Sequence, residues 1–314
     1  MSERYFLSIL KISDIGMMNT FLFFLYNEIM NNTAKYIFLD VDGTLFSPKL
    51  GDIPESANEA LALARKAGHR IFLCTGRSLA EVSRYLNADV DGFILGAGAM
   101  IYADRKRIYD HPFPTADVTR IKKIIRRNNL GYCLEGGAGA YCDEKGYEAL
   151  LWYFSGGVED RQTRIEKCME NGTYPEKFGS EKNDSIYKIC AYGPDWEPEY
   201  EALGKDLESP YILTKVHEDK EEHFCIGEIT DSRINKATGV EKVLEHYNAE
   251  EFQAYGFGDS ANDIPMLKAC GHGIAMGNGA DVIKEIADYI TTDILDNGIW
   301  NAFVHYGLIE GEKR

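Results

Sequence analysis

Apolar runs and amphipathic stretches divide the chain into three parts. Tyr36–Leu39 is a short, mostly apolar run that meets Asp40 at once, the pattern of a parallel strand buried on both faces with a loop at its carboxyl end. Residues 54–67, PESANEALALARKA, repeat alanine and leucine at helical spacing, with Pro54 near the start and Gly68 just past the end. Arg70–Cys74 reads as a second strand, and 78–87 as a helix with Ser78 as its N-cap. GFILGAGAMIY, 92–102, holds a third strand and a glycine turn. Strands alternating with helices in this way predict a doubly wound parallel sheet.

From about Pro112 the alternation is lost. Residues 116–131 form an amphipathic helix pattern, and YCLEGGAGAYCDE, 132–144, two short strands around a glycine turn. Residues 148–156, 161–172 and 196–207 read as helical; 185–193, 211–219 and 223–230 read as strands. This order suits an inserted α+β module. Near residue 236 the alternation resumes: a helix over 235–248, a strand in FQAYGFGDS, a helix in NDIPMLKAC, a strand and loop in GHGIAMGNG, then a helix and strand over 280–291. There is no internal repeat. The expected architecture is an α/β, doubly wound core over 34–111 and 226–314 carrying an α+β cap over 112–225.

Residues 1–33 are read as an extension outside this fold, either appended ahead of Met30 or a loosely docked helix. Its apolar run, Phe21–Tyr26, is too short to span a bilayer. The stretch before it lacks the basic start, apolar core and cleavage site of a signal peptide. Seven scattered cysteines, with no CxxC pair, point to reduced thiols and a cytoplasmic protein.

Composition changes one thing. A formal net charge of −16 weighs against a nucleic-acid partner. It also means that an anionic substrate needs positive charge supplied locally, which a metal ion does economically.

Four signals sit where a site in such a sheet is expected, beyond the carboxyl ends of the strands: Asp40-Val41-Asp42-Gly43-Thr44, Thr75-Gly76-Arg77, Lys236 at a helix start, and Gly258-Asp259-Ser260-Ala261-Asn262-Asp263. Asp40 and Asp42 would share one face of a continuing strand and repel, unless a cation lies between them or their surroundings separate their pKa values. Asp40 and Asp259 are hard oxygen ligands suited to Mg²⁺. Asp40 can then attack phosphorus as a carboxylate nucleophile, with Asp42 moving protons to the leaving oxygen and from water. Backbone N–H groups around Asp42 and Gly43, the Thr75 hydroxyl and the Lys236 ammonium can hold the charge of the transferring group.

Together and in this order the four motifs resemble the haloacid dehalogenase superfamily of phosphatases, and within it the Cof-like branch, over 34–111 and 226–308. The resemblance implies Asp40 as nucleophile, Asp42 as general acid and base, and Thr75 and Lys236 on the phosphate. It implies Mg²⁺ held by Asp40, the Asp42 carbonyl and Asp259, with Asn262 and Asp263 completing the site and Asp263 a partner of the metal or of Lys236. Gly43, Gly76 and Arg77 fall in the same phosphate- or substrate-binding set, Arg77 either steering phosphate or forming a salt bridge. The sequence departs from the family twice: Lys236-Ala237 replaces Lys-Gly, and Ala97-Gly98-Ala99 replaces Asn-Gly-Ala.

Blander readings exist for each piece. Asp-x-Asp-Gly alone is a calcium loop or a turn, but the rest of an EF-hand is absent. EGGAGAY, 135–141, is a hairpin turn rather than a phosphate loop, because no Lys-Ser/Thr follows. His217 and His223 flank an acidic run and read as a solvated loop. Trp152, Tyr153 and Phe154 read as cap core. The expectation is a Mg²⁺-dependent phosphatase of small phosphorylated metabolites, a monomer or small homo-oligomer with no nucleic-acid or membrane partner. The alternatives are a sugar phosphomutase using the same nucleophile, and a non-catalytic sugar-phosphate-binding regulator.

Overall fold

The computed structural model describes residues 34–79, 82, 90–137, 139–154, 160–170, 175–176, 184–193, 198–219, 221 and 224–314. The N-terminal extension, most of the helix expected over 78–87, and His223 lie outside the described residues.

The core sheet contains β1 (Tyr36–Leu39), β2 (Arg70–Cys74), β3 (Gly92–Leu95), β4 (Met100–Ala103), β5 (Lys106–Asp110), β12 (Ala254–Gly258), β13 (His272–Ala275) and β14 (Tyr289–Ile290), in the order β14-β13-β12-β1-β2-β3-β4-β5. From β14 to β3 neighbours are parallel, with β1 central between β12 and β2. All four residues of β1 are buried, as a strand covered on both faces must be. Ile37 and Leu39 face α1 (Glu55–Lys66) and α8 (Gly298–His305), meeting Ala60, Leu61, Ala64 and Phe303. Tyr36 and Phe38 face α6 (Lys236–Tyr247) and α7 (Ile264–Ala269), meeting Val240, Val243 and Met266.

The parallel expectation ends at β3. β4 and β5 continue the sheet antiparallel. The turn at Gly96–Gly98 reverses the chain too tightly for a crossover helix. Ala97 there adopts φ 54°, ψ 32°, a left-handed conformation that asparagine tolerates better than alanine. Gly98 has φ 112°, and a Cβ on it would lie 2.3 Å from the Asn235 carbonyl oxygen. Glycine is therefore required where this turn meets the start of α6.

The second sheet lies wholly between β5 and α6 in sequence. It holds β6 (Gly131–Gly136), β7 (Ala140–Cys142), β8 (Pro175–Glu176), β9 (Ile186–Gly193), β10 (Tyr211–Asp219) and β11 (Phe224–Asp231), ordered β10-β11-β9-β6-β7-β8. β6 and β7 form the expected hairpin, with Gly136 N donating to Gly139 O at 2.8 Å. One face packs on α2 (Thr115–Arg127) and α5 (Glu199–Asp206) through Ile121, Ile125, Tyr200 and Leu203. The other carries α3 (Glu144–Phe154), with α4 (Arg161–Glu170) following it in the chain. β11 pairs with β9 and β10 through this sheet. The expected boundary at 225 and 226 therefore falls inside a strand, and the cap sheet runs on to Asp231. The acidic run over 218–222, read as a solvated loop, begins inside β10: Glu218 and Asp219 pair with Cys225 and Phe224 of β11. Trp152 is partly buried against the cap cluster, but Tyr153 is 40% exposed and stacks on Phe224, so it is not core. His217 also packs on these rings.

Candidate active site

Asp40 follows β1, and its N–H donates to Phe257 O on the neighbouring β12 at 3.0 Å. That bond fixes the turn that carries Asp40 over the sheet edge. Thr75 follows β2, Asp259 follows β12, and Lys236 opens α6. The α6 start is set by Asn235, whose side-chain oxygen accepts from Ala237 N at 2.9 Å and Thr238 N at 3.3 Å. This cap forms with alanine at 237, so the first departure from the family pattern leaves the helix start in place.

Lys236 is 1% exposed and donates from Nζ to Asp40 Oδ1 at 2.5 Å and to Asp263 Oδ1. Burial pulls its pKa down, but Asp40 and Asp263 outweigh this and hold it above the ordinary lysine value. Asp263 is fully buried, and its Oδ2 accepts from Asp259 N and Ser260 N, each at 3.1 Å. Its role in the geometry is to seat Lys236 and the Asp259 loop.

Carboxylate oxygens of Asp40, Asp259 and Asp263 lie within 4.8 Å of one another. Burial, above all, pushes the Asp40 carboxyl up to about 7; Lys236 opposes the shift, while Asp263 and Asp259 add to it. Burial and Asp263 likewise raise Asp259. Three carboxylates lie about one ammonium in a buried pocket, and burial is the largest cause of the raised values at Asp40 and Asp259. An oxygen-lined, electron-rich set of this kind fits a hard divalent cation.

Two residues that the sequence reading gave no role complete the loop. Thr44 Oγ1 donates to Asp259 Oδ1 at 3.2 Å. Asn278, after β13, donates from Nδ2 to Gly43 O at 2.7 Å, and its Oδ1 accepts from Ile294 N at 2.9 Å. Its place beyond the carboxyl end of a strand beside the motif strands was the available signal. Gly43 itself has φ 91°, and a Cβ there would sit 2.5 Å from Asp259 Oδ2. Gly43→Ala is expected to cost about 1–3 kcal/mol of stability through backbone strain and to displace Asp259. A melting curve and phosphate-release assay check both; wild-type values in each would contradict the close packing.

Asp42 points elsewhere. Its carboxylate lies outside the three-carboxylate group and takes a two-pronged salt bridge from Arg77: Nε to Oδ2 at 2.8 Å and Nη2 to Oδ1 at 2.6 Å. Of the two roles expected of Arg77, this is the salt bridge. Thr75 is buried, and its hydroxyl accepts from Arg77 N at 3.1 Å. Asn262 and Gly76 line a cavity of about 430 Å³ between this edge and the cap sheet, with Lys236 at its base.

A family model for haloacid dehalogenase-like hydrolases matches residues 37–303. The chain belongs to that family. This haloacid dehalogenase-like hydrolase is 37% identical over 284 residues to the 5-amino-6-(5-phospho-D-ribitylamino)uracil phosphatase YcsE of Bacillus subtilis (strain 168), covering 87% of this chain and 96% of that one. It is 25% identical over 283 residues to the pyridoxal phosphate phosphatase YbhA of Escherichia coli (strain K12), covering 87% and 100%. The solved structure of BT1666 from Bacteroides thetaiotaomicron, described among haloalkanoate-superfamily phosphatases, matches with a TM-score of 0.71 at 25% identity, over 88% of this chain and 97% of that one. These relatives are phosphatases, and this chain is a hydrolase of their family with its core and cap architecture. Among the described residues no helix is long and apolar enough to cross a membrane.

Proposed function

We propose that the protein is a Mg²⁺-dependent phosphatase that hydrolyses a small phosphorylated metabolite, a sugar phosphate or a phosphorylated cofactor, through an aspartyl-phosphate on Asp40. The observation that carries this reading is the convergence of Asp40, Asp259, Asp263 and Lys236 at one sheet edge. Two relatives of that family are named for small phosphorylated substrates, 5-amino-6-(5-phospho-D-ribitylamino)uracil and pyridoxal phosphate.

In this reading an Asp40 oxygen attacks phosphorus as the bond to the ester oxygen breaks. The Asp42 carboxyl gives the departing oxygen its proton. Water then attacks the acyl phosphate, Asp42 takes the proton back, and inorganic phosphate leaves. Thr75, Lys236 and the backbone N–H groups at Asp42 and Gly43 hold the transferring oxygens. Arg77 must yield Asp42 for the proton steps, and a phosphate dianion is a partner that its fork can turn to. Asp40 and Asp259, with the Asp42 carbonyl, would hold Mg²⁺; when bound, the ion neutralises charge between nucleophile and phosphate. Cys74, Cys133, Cys142, Cys190, Cys225 and Cys270 are free thiols, which supports a cytoplasmic setting.

The test is phosphate release from a panel of aryl, sugar and cofactor phosphates. Release is expected with Mg²⁺ and is expected to vanish in EDTA. Mg²⁺ at about a hundred times its Kd is expected to stabilise the fold by about 2.7 kcal/mol, read as a rise in Tm. No release from any member, with no Mg²⁺ effect on melting, would refute the reading.

A further inference from the structure

The inner face of the cap sheet changes character along its strands. On β11, Phe224 and Ile226 pack in an apolar cluster with Leu150 of α3, and Glu228 and Thr230 follow on the same side. On β9, Cys190 is in that cluster and Lys188 is the next residue of the face; on β6, Cys133 is in it and Glu135 is next. The apolar half lies under α3. The polar half overhangs the core edge, and Glu228, Thr230 and Thr214 line the cavity above Lys236. Placing charge on the inner face of a sheet is costly unless it is paired or meets a ligand.

Lys188 is paired on both sides, with Nζ 2.9 Å from Glu135 Oε2 and 3.0 Å from Glu228 Oε1. Among the described residues lining the cavity, the basic groups are Lys236 and His111 alone. Lys236 is held by Asp40 and Asp263, and His111 Nε2 lies 3.1 Å from Asp231 Oδ2. Asp231 is in turn gripped by Arg233. The cap wall of the cavity thus presents Glu228, Thr214 and Thr230 beside the exposed Ile212, and Lys188, Lys236 and His111 are each already paired with a carboxylate.

We propose that Glu228 selects the leaving group: it accepts hydrogen bonds from an uncharged, hydroxyl-bearing group and turns away one that carries a carboxylate or a second phosphate. A carboxylate is an acceptor only, so hydroxyls are its natural partners. A second anion on the leaving group would meet a like charge at Glu228. Thr214 and Thr230 extend the same wall and can both give and take hydrogen bonds. The inference rests on the phosphatase reading and deepens it by naming the substrate class.

The experiment compares matched pairs: glycerol phosphate against phosphoglycerate, and fructose phosphate against fructose bisphosphate, with an aryl phosphate as reference. Wild type is expected to favour the neutral member of each pair by about tenfold or more in kcat/KM, and Glu228→Gln to cut that preference by about tenfold. Equal turnover within the wild-type pairs overturns the inference, and this needs no variant to fold. A Gln variant that loses stability but keeps the wild-type ratio also overturns it, since Glu228 would then be structural only. Aryl phosphate turnover with neither member of either pair accepted does so too. If the aryl phosphate also stays intact, the phosphatase reading itself fails, and the inference with it.

Discussion

An Asp40→Asn protein is expected to release phosphate at least about a thousandfold more slowly than wild type while folding normally. An amide oxygen is a poor nucleophile and a weaker ligand for a hard cation, so both proposed roles of Asp40 fail together. Stability should move the other way. The Asp40 carboxyl is pushed up to about 7 from 3.8, first by burial and then by Asp263 and Asp259, with Lys236 opposing. The folded protein therefore binds this proton more tightly than the unfolded chain. Without metal, wild-type stability should fall as pH rises between those two values, and the Asn variant should lack that part of the slope. Near neutral pH in EDTA, the variant is expected to melt at or above wild type. With Mg²⁺ the order should reverse, because wild type binds the ion better. Melting curves at about pH 5 and about pH 8, each with EDTA and with Mg²⁺, test the stability half. Full turnover by the variant would sink the nucleophile assignment.

Local pattern announced the parts of the fold in which sequence neighbours do the work. Tyr36–Leu39 and Arg70–Cys74 are apolar runs short enough to be nothing but buried strands, and both form as expected. Lys236 at a helix start was legible because Asn235 caps that helix. The β5 strand was not legible. Its sequence, KRIYD, is an exposed edge in which no residue is fully buried, so no apolar signal marks it. The pairing of Asp42 with Arg77 joins residues 35 apart. Sequence supplied both charges but not which carboxylate the arginine would choose. The choice follows from burial: Lys236 already occupies Asp40 inside, which leaves Asp42 on the open side of the loop. The role of Asn278 was hidden for a related reason. It bonds to the backbone of Gly43, 235 residues away, and its place past the carboxyl end of β13 marks a position near the site but not this partner.

Lys236→Met should be the most destabilising single change at the site. The ammonium is 1% exposed and serves two carboxylates that have little or no exposure of their own. A methionine fills much of the same volume but leaves both acids without their cation. Removing one partner of a buried ion pair costs about 3–5 kcal/mol. For a chain of this size that is a fall in Tm of about 5–8 °C. Lysine's own pKa is raised, so its stabilisation is present throughout the range below the ordinary lysine value and is lost only at higher pH. The difference between wild type and variant should therefore not vanish as the buffer moves toward neutrality from above. Turnover should also drop by about a hundredfold or more, since a charge aimed at the transferring group is lost. A double variant separates these effects. Lys236→Met with Asp263→Asn removes one orphaned carboxylate and should recover part of the lost Tm. It should recover no activity, because the phosphate end still lacks its ammonium. Recovery of turnover along with Tm would mean that Lys236 acts only by holding the loop together, and its place on the phosphate would have to be given up.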